Sequence, residues 1–139
     1  MSPGTTTTRV SLVRHGEVDN PTGIYYGRMK GFALSELGQL QARSIAESFE
    51  PDELAAVYSS PLLRAHQTAS AIAARQGLAV ARTRRLLEVR SPFDGVTLQS
   101  MTERDWDLYS DTSPKFEQPP DLVKRMRSFI SYARDHHRG

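Results

Sequence analysis

The feature that most restricts the fold is an alternation of apolar segments along the chain. Three short β-rich runs, at residues 9–13, 54–60 and 78–82, alternate with three segments whose apolar residues have helical spacing. Strands that alternate with helices favour an α/β fold, because each helix can return the chain to the next parallel strand. We therefore predict a three-layer α/β/α sandwich with a mostly parallel sheet.

Capping and stop signals bound the three predicted helices. They are Ser35 and Pro51 for the first helix, Ser60, Pro61 and Gly77 for the second, and His136 to Gly139 for the end of the third. Residues 86–89 either extend the third strand or begin the next loop. Between residues 90 and 120 the pattern is weak, and it predicts one short helix at about 101–108.

Composition excludes several classes of protein. The chain has 139 residues and no cysteine, so disulfides, thiolate catalysis and cysteine-based zinc sites are ruled out. Its net charge of +2 is too small to indicate a nucleic-acid partner, and no apolar run reaches the length of a membrane span. We expect a cytoplasmic protein with a flexible N-terminal arm at residues 1–8 and one domain at residues 9–139.

Charged side chains follow the predicted strands at the points where the strands end. Arg14 and His15 follow the first strand, Arg64 comes shortly after the second, and Glu88 follows the third. Parallel sheets bind ligands beyond the carboxyl ends of their strands, so these groups are expected to converge. Two guanidinium groups match a phosphoryl group, a histidine can attack phosphorus, and a carboxyl group can protonate the leaving oxygen. Gly16 allows a close approach of the backbone.

The motifs that carry this site resemble those of a known family. The segments "RHGE", "GR" (Gly27-Arg28), "LSELGQLQA", "SSPLLRAHQTA" and "LLE" occur in this order and spacing. Together they resemble the histidine phosphatase superfamily, also called the phosphoglycerate mutase-like family. The resemblance is close over residues 9–90 and looser up to residue 134.

The resemblance implies a role for each of the matching residues. His15 corresponds to a nucleophile that becomes phosphorylated, Arg14 and Arg64 to phosphate ligands, and Glu88 to a proton donor. Asn20 corresponds to a phosphate-contacting asparagine, although it lies one position early, and Val18 stands where threonine is common. Other candidates for substrate contacts are Tyr26, Gly27 and Arg28.

The implied function is hydrolysis of a small phosphorylated metabolite through a phosphohistidine, with no metal and no other cofactor. Two alternatives stay open. One is a phosphoglycerate mutase, which returns the phosphoryl group to its substrate, although the stretch from Arg90 to Asp121 is short for that role. The other is a phosphate-binding fragment with weak or no catalysis.

The resemblance also implies a segment that this sequence lacks. Members of the family carry a second pocket histidine at the end of a strand with the sequence "SHG", and His66, His136 and His137 do not match it. That strand lies between the first two parallel strands in the family. We therefore expect the domain to be C-terminally incomplete. Three outcomes are open: a chain that folds poorly alone, another element or a second copy in place of the strand, and an unrecognised central strand among residues 90–110. We favour an altered arrangement, such as a homo-oligomer or a strand-swapped dimer.

Overall fold

Six regular elements and one short turn make up the computed structural model, which describes residues 4–138. The helices are α1 (Glu36–Glu47), α2 (Leu63–Gln76), α3 (Leu98–Glu103) and α4 (Pro119–His136), the strands are β1 (Val57–Ser59) and β2 (Val80–Arg82), and a 3-10 turn spans Arg84–Leu86.

The sheet is parallel, as the alternation predicts. β1 and β2 pair with Val57 opposite Val80 and Ser59 opposite Arg82, and α2 forms the crossover between them. Five buried side chains from α1, β1 and α2 form the core beside this pair: Ala46, Val57, Ala69, Ile72 and Ala73. The α/β class is therefore confirmed.

The predicted strand at residues 9–13 is wrong. This segment has no strand structure, and Leu12 is 66% exposed, with Val10 and Val13 also exposed. Within residues 4–138 the sheet contains β1 and β2, and no strand there pairs with residues 9–13. A β-rich sequence becomes a strand only when a neighbouring strand satisfies its backbone groups, which explains the difference.

Two of the predicted helix signals are confirmed and one is wrong. The Ser35 hydroxyl accepts a hydrogen bond from the Gly38 amide, and Gly77 ends α2 in the left-handed region at φ 65°. The cap predicted at Ser60 is not formed, because α2 begins at Leu63. The Ser60 hydroxyl instead accepts a hydrogen bond from the Leu62 amide at 3.2 Å and so shapes the turn before the helix.

The region after β2 departs further from the prediction. The short helix lies at residues 98–103 instead of 101–108, because Asp105 and Trp106 both adopt positive φ, 53° and 57°, and end it. Leu86 is the last residue of the 3-10 turn, which separates residues 87–89 from β2, so residues 86–89 do not extend the strand. α4 begins at Pro119, three residues before Leu122, the first residue of its apolar stripe. A capping box formed by Gln118 and Asp121 starts the helix there.

The segment before residue 9 contacts the C-terminal end of α4. The Thr8 hydroxyl donates a hydrogen bond to the His137 carbonyl at 2.7 Å, while residues 4–7 are exposed. Residues 1–3 of the predicted arm and the stop signal at Gly139 lie outside the described residues. The division into an arm and one domain stays a prediction. Among residues 4–138, every helix is too short or too polar to cross a membrane.

Candidate active site

His15 is held in place by two helices. The neighbouring Gly16 amide donates to the Thr68 hydroxyl of α2 at 3.2 Å. On the other side Gly16 packs against the backbone of Gly38 in α1, where an added Cβ atom would overlap the Gly38 carbonyl. Gly16 therefore allows a close approach of the backbone, as predicted, and the backbone that approaches it is that of α1. This contact fixes the chain beside the imidazole without a sheet.

The imidazole of His15 has one ring nitrogen committed to the backbone. Nδ1 lies 2.7 Å from the Gly16 carbonyl oxygen. Because a carbonyl oxygen only accepts, Nδ1 carries the proton, and the neutral ring keeps its lone pair on Nε2. Burial lowers the pKa of His15 below its ordinary value of 6.5, and the charges of Arg64 and Arg14 lower it further, against the raising effects of the Gly16 bond and Glu88. The neutral, nucleophilic form is thus favoured.

Arg64 is a buried guanidinium with few partners. Its side chain is 2% exposed, and Nη2 donates to the Gly27 carbonyl at 2.6 Å. The guanidinium also lies 4.5 Å from the centre of the Tyr26 ring. Burial is the main cause that lowers the Arg64 pKa. A buried charge is costly unless it is paired, so this arrangement is typical of a site that receives an anion.

Glu88 and Arg14 lie at the exposed side of the same site. Glu88 is 40% exposed, and its Oε2 is 4.0 Å from Nη2 of Arg64. Its Oε1 accepts from the Val89 amide at 2.9 Å. Arg14 is exposed, and its charge acts on His15. The structure therefore places Glu88 beside Arg64, whereas Arg14 is the neighbour of His15 in the chain, and the chemical roles of Glu88 and Arg14 stay predictions.

Two of the other candidates have their polar groups engaged within the chain. The Asn20 side chain donates to the Ile24 carbonyl at 2.9 Å and accepts from the Ile24 amide at 3.3 Å, which closes a turn. Gly27 is buried at φ 43°, and its carbonyl accepts from Arg64. The ring of Tyr26 lies 6.4 Å from that of His15. Tyr26 therefore lies beside the imidazole, whereas Asn20 and Gly27 organise the loop around it.

Arg28 belongs to a group of charges that the sequence did not reveal. Its Nη2 donates to Glu117 Oε1 at 2.7 Å, and its Nε donates to the Glu88 carbonyl at 2.7 Å. Arg125 of α4 also pairs with Glu117, at 2.9 Å. Glu117 and Arg125 lie in regions without a motif, so no local signal identifies them.

Thr68, which accepts from the Gly16 amide, could have been predicted as a site residue, because it lies one helical turn after Arg64.

Tyr25 is a further buried polar group next to the site. Its hydroxyl has no hydrogen-bond partner within the described chain, and its ring lies edge-on to Trp106 at 6.4 Å. Burial raises the pKa of Tyr25 to about 12, and the Glu88 charge adds to the rise.

No group of three or more His, Asp or Glu side chains in residues 4–138 could hold a metal ion.

A family model matches nearly the whole chain. Residues 10–139 match the model of the histidine phosphatase superfamily, branch 1. The match includes all of the site residues described above.

Individual relatives agree with this match. An uncharacterized protein of Mycobacterium tuberculosis is 42% identical over 134 residues, which cover 91% of this chain and 66% of that protein. A putative phosphoserine phosphatase 2 of Hydrogenobacter thermophilus is 32% identical and is covered to 68%. Among solved structures, a mycobacterial glucosyl-3-phosphoglycerate phosphatase matches with a TM-score of 0.70 and 27% identity over 88% of this chain. This chain spans 62% of that structure, so it covers about two thirds of its relatives' length.

Proposed function

Because the chain belongs to the histidine phosphatase superfamily, we propose that it hydrolyses monoesters of phosphoric acid through a phosphohistidine at His15. The observation that supports this most strongly is that a neutral imidazole and a buried, sparsely bonded guanidinium both adjoin the ring of Tyr26. The first group is a nucleophile, and the second is suited to the oxygens of a phosphoryl group.

The proposed reaction has two steps. Nε2 of His15 attacks phosphorus, the bond to the ester oxygen breaks, and a protonated Glu88 gives its proton to the leaving alkoxide. Water then attacks the phosphohistidine, Glu88 takes up a proton from that water, and inorganic phosphate leaves. Arg64 and Arg14 neutralise the phosphoryl oxygens throughout, which is the task that a metal ion performs in other phosphoryl-transfer sites.

The proposed substrate is a small phosphorylated metabolite. The names of a putative phosphoserine phosphatase and a glucosyl-3-phosphoglycerate phosphatase support a phosphatase over a mutase. Asn20, Tyr26, Gly27 and Arg28 remain candidates for phosphate or substrate contacts. Of these, Tyr26 has the strongest support because its ring adjoins both His15 and Arg64.

The test is to trap the intermediate. The chain is mixed briefly with a ³²P-labelled phosphate monoester, quenched in alkali, which preserves phosphohistidine, and digested. We expect label on the peptide that contains His15, release of inorganic phosphate, and neither in His15→Ala. His66→Ala is the matched control, since its ring lies on α2 and bonds weakly with Ser70. Absence of label would favour a binding module, and transfer of label back to a second hydroxyl of the substrate would favour a mutase.

Assembly and location are also part of the proposal. The exposed side chains of residues 10, 12 and 13 support a homo-oligomer or a strand-swapped dimer, because apolar surface beside an unpaired backbone favours pairing with a second chain. Light scattering should give the molar mass of a dimer, and that of a monomer would contradict this prediction.

The absence of cysteine supports a cytoplasmic location.

A further inference from the structure

We propose that Glu117 is a positioning residue for the proton donor Glu88, acting through Arg28 and Arg125. This inference rests on the proposed function and deepens it. It concerns the backbone that carries Glu88, because the Glu88 carboxylate itself makes one short hydrogen bond, to the neighbouring Val89 amide. A side chain that is 40% exposed needs its backbone fixed if it is to meet a leaving group reproducibly.

Two arginines hold consecutive carbonyl groups at this point. Arg28 donates to the Glu88 carbonyl at 2.7 Å. Arg125 donates to the Leu87 carbonyl at 2.5 Å, and the same nitrogen donates to the Arg85 carbonyl at 3.0 Å. The segment that carries the carboxylate is therefore clamped from two sides by charged donors.

Glu117 holds both arginines. Its Oε1 accepts from Arg28 at 2.7 Å and from Nη2 of Arg125 at 3.0 Å, and its Oε2 accepts from Nε of Arg125 at 2.9 Å. Oε1 also accepts from the Arg90 amide at 2.8 Å, two residues beyond Glu88. The bidentate pair with Arg125 gives the cluster a defined orientation.

The cluster is largely buried, so its charges depend on one another. The side chains of Arg28, Glu117 and Arg125 are 19%, 18% and 21% exposed. Hydrogen bonds and charges from Arg125, Arg90 and Arg28 outweigh burial and hold the pKa of Glu117 below its ordinary value. Without the Glu117 carboxylate two guanidinium groups would face each other unneutralised, and both would leave the carbonyls that they hold.

The test exploits the dependence of acid catalysis on the leaving group. An alkyl phosphate needs a proton on its leaving oxygen, whereas p-nitrophenyl phosphate releases a stable anion without one. kcat/KM reports the first step, in which the phosphoryl group passes to His15 and Glu88 gives its proton to the leaving oxygen. For Glu117→Gln we expect kcat/KM to fall about 10- to 100-fold with the alkyl phosphate, part of the roughly 10²–10⁴ that a positioned acid contributes, and about threefold or less with the nitrophenyl ester.

Partial unfolding would lower both rates equally, so the ratio of the two rates separates positioning from stability. Glu103→Gln is the matched control, an exposed carboxylate of α3 that accepts from Gln99 at 3.2 Å. Should Glu117→Gln fail to fold, Arg125→Lys keeps the charge, removes the fork and should give the same selective loss.

Glu88→Gln makes failure of this inference distinguishable from failure of the proposed function. A selective loss in Glu88→Gln with an equal loss for both esters in Glu117→Gln overturns the positioning role alone. An equal loss in Glu88→Gln overturns the proton-donor assignment and, with it, the role of Glu117. A wild-type chain that hydrolyses neither ester overturns the proposed function as a whole.

Discussion

Replacing Arg64 with lysine tests the anion site most directly, because it keeps the positive charge and removes the planar fork. In the wild type one N–H group of Arg64 is used by the Gly27 carbonyl, and the guanidinium stacks on Tyr26. A lysine ammonium can donate to the Gly27 carbonyl. It cannot at the same time present a second donor to the phosphoryl oxygens in the fixed planar geometry of a guanidinium. The loss is that of one preorganised donor to the phosphoryl oxygens, about 2.7–4 kcal/mol, or roughly 10²–10³ in kcat.

The cost in stability should be smaller than the cost in activity. The substitution loses a cation–π contact worth about 0.5–2 kcal/mol, while the hydrogen bond to Gly27 can be replaced. Inorganic phosphate at 100 times its Kd should stabilise the wild type by about 2.7 kcal/mol. For a chain of this size that raises Tm by about 10 °C. In Arg64→Lys most of this rise should disappear.

Two measurements decide the question: phosphate release with an alkyl phosphate, and thermal unfolding with and without phosphate. Arg75→Lys is the matched control, since Arg75 is exposed in the last turn of the same helix. Full activity in Arg64→Lys, or an equal rise in Tm with phosphate in wild type and variant, would refute Arg64 as the ligand of the phosphoryl group.

Two further predictions concern His15 and its support. Since its pKa is lowered in the folded chain, kcat/KM should stay high as pH falls through 6.5, and Arg14→Met should move the acidic limb to higher pH, as a pH–rate profile would show. The unfolded chain binds that proton more readily, so stability should fall as pH drops below 6.5; a rise would contradict the lowered pKa. Gly16→Ala should cost about 1–3 kcal/mol of unfolding free energy by overlap with Gly38, whereas Gly4→Ala, which meets open space, should cost nothing in chemical denaturation.

The sequence predicted the local elements well because their determinants are local. Ser35 and Gly77 bound their helices through contacts within three or four residues, and the β1–α2–β2 unit follows from a short crossover. Residues 9–13 were assigned wrongly because a strand depends on a neighbour far away in the sequence, which no local pattern reveals. The end of α3 was missed because Asp105 and Trp106 both adopt positive φ, a conformation that is rare for a residue as bulky as Trp106 and that its type does not predict.

The candidate site divides in the same way. Arg14, His15, Arg64 and Glu88 could be predicted as candidates because they stand in short motifs. The structure places Glu88 beside Arg64, and His15 and Arg64 on either side of Tyr26. Glu117 could not be identified, since its partner Arg28 lies 89 residues away, in the loop before α1, and the two side chains meet only in the folded chain. Ion pairs of this kind depend on tertiary structure and leave no periodic trace in the sequence.

The hydrogen bonds of Thr68 have a mechanical consequence. Its hydroxyl accepts from the Gly16 amide and donates to the Arg64 carbonyl, so one turn of α2 carries the attachments of both the imidazole and the guanidinium. A helix is stiff along its axis, whereas the loops around it bend. The distance between the nucleophile and the anion ligand is therefore set by this one turn of α2, whereas the position of Glu88 depends on a separate set of contacts, those of Arg28 and Arg125 with Glu117.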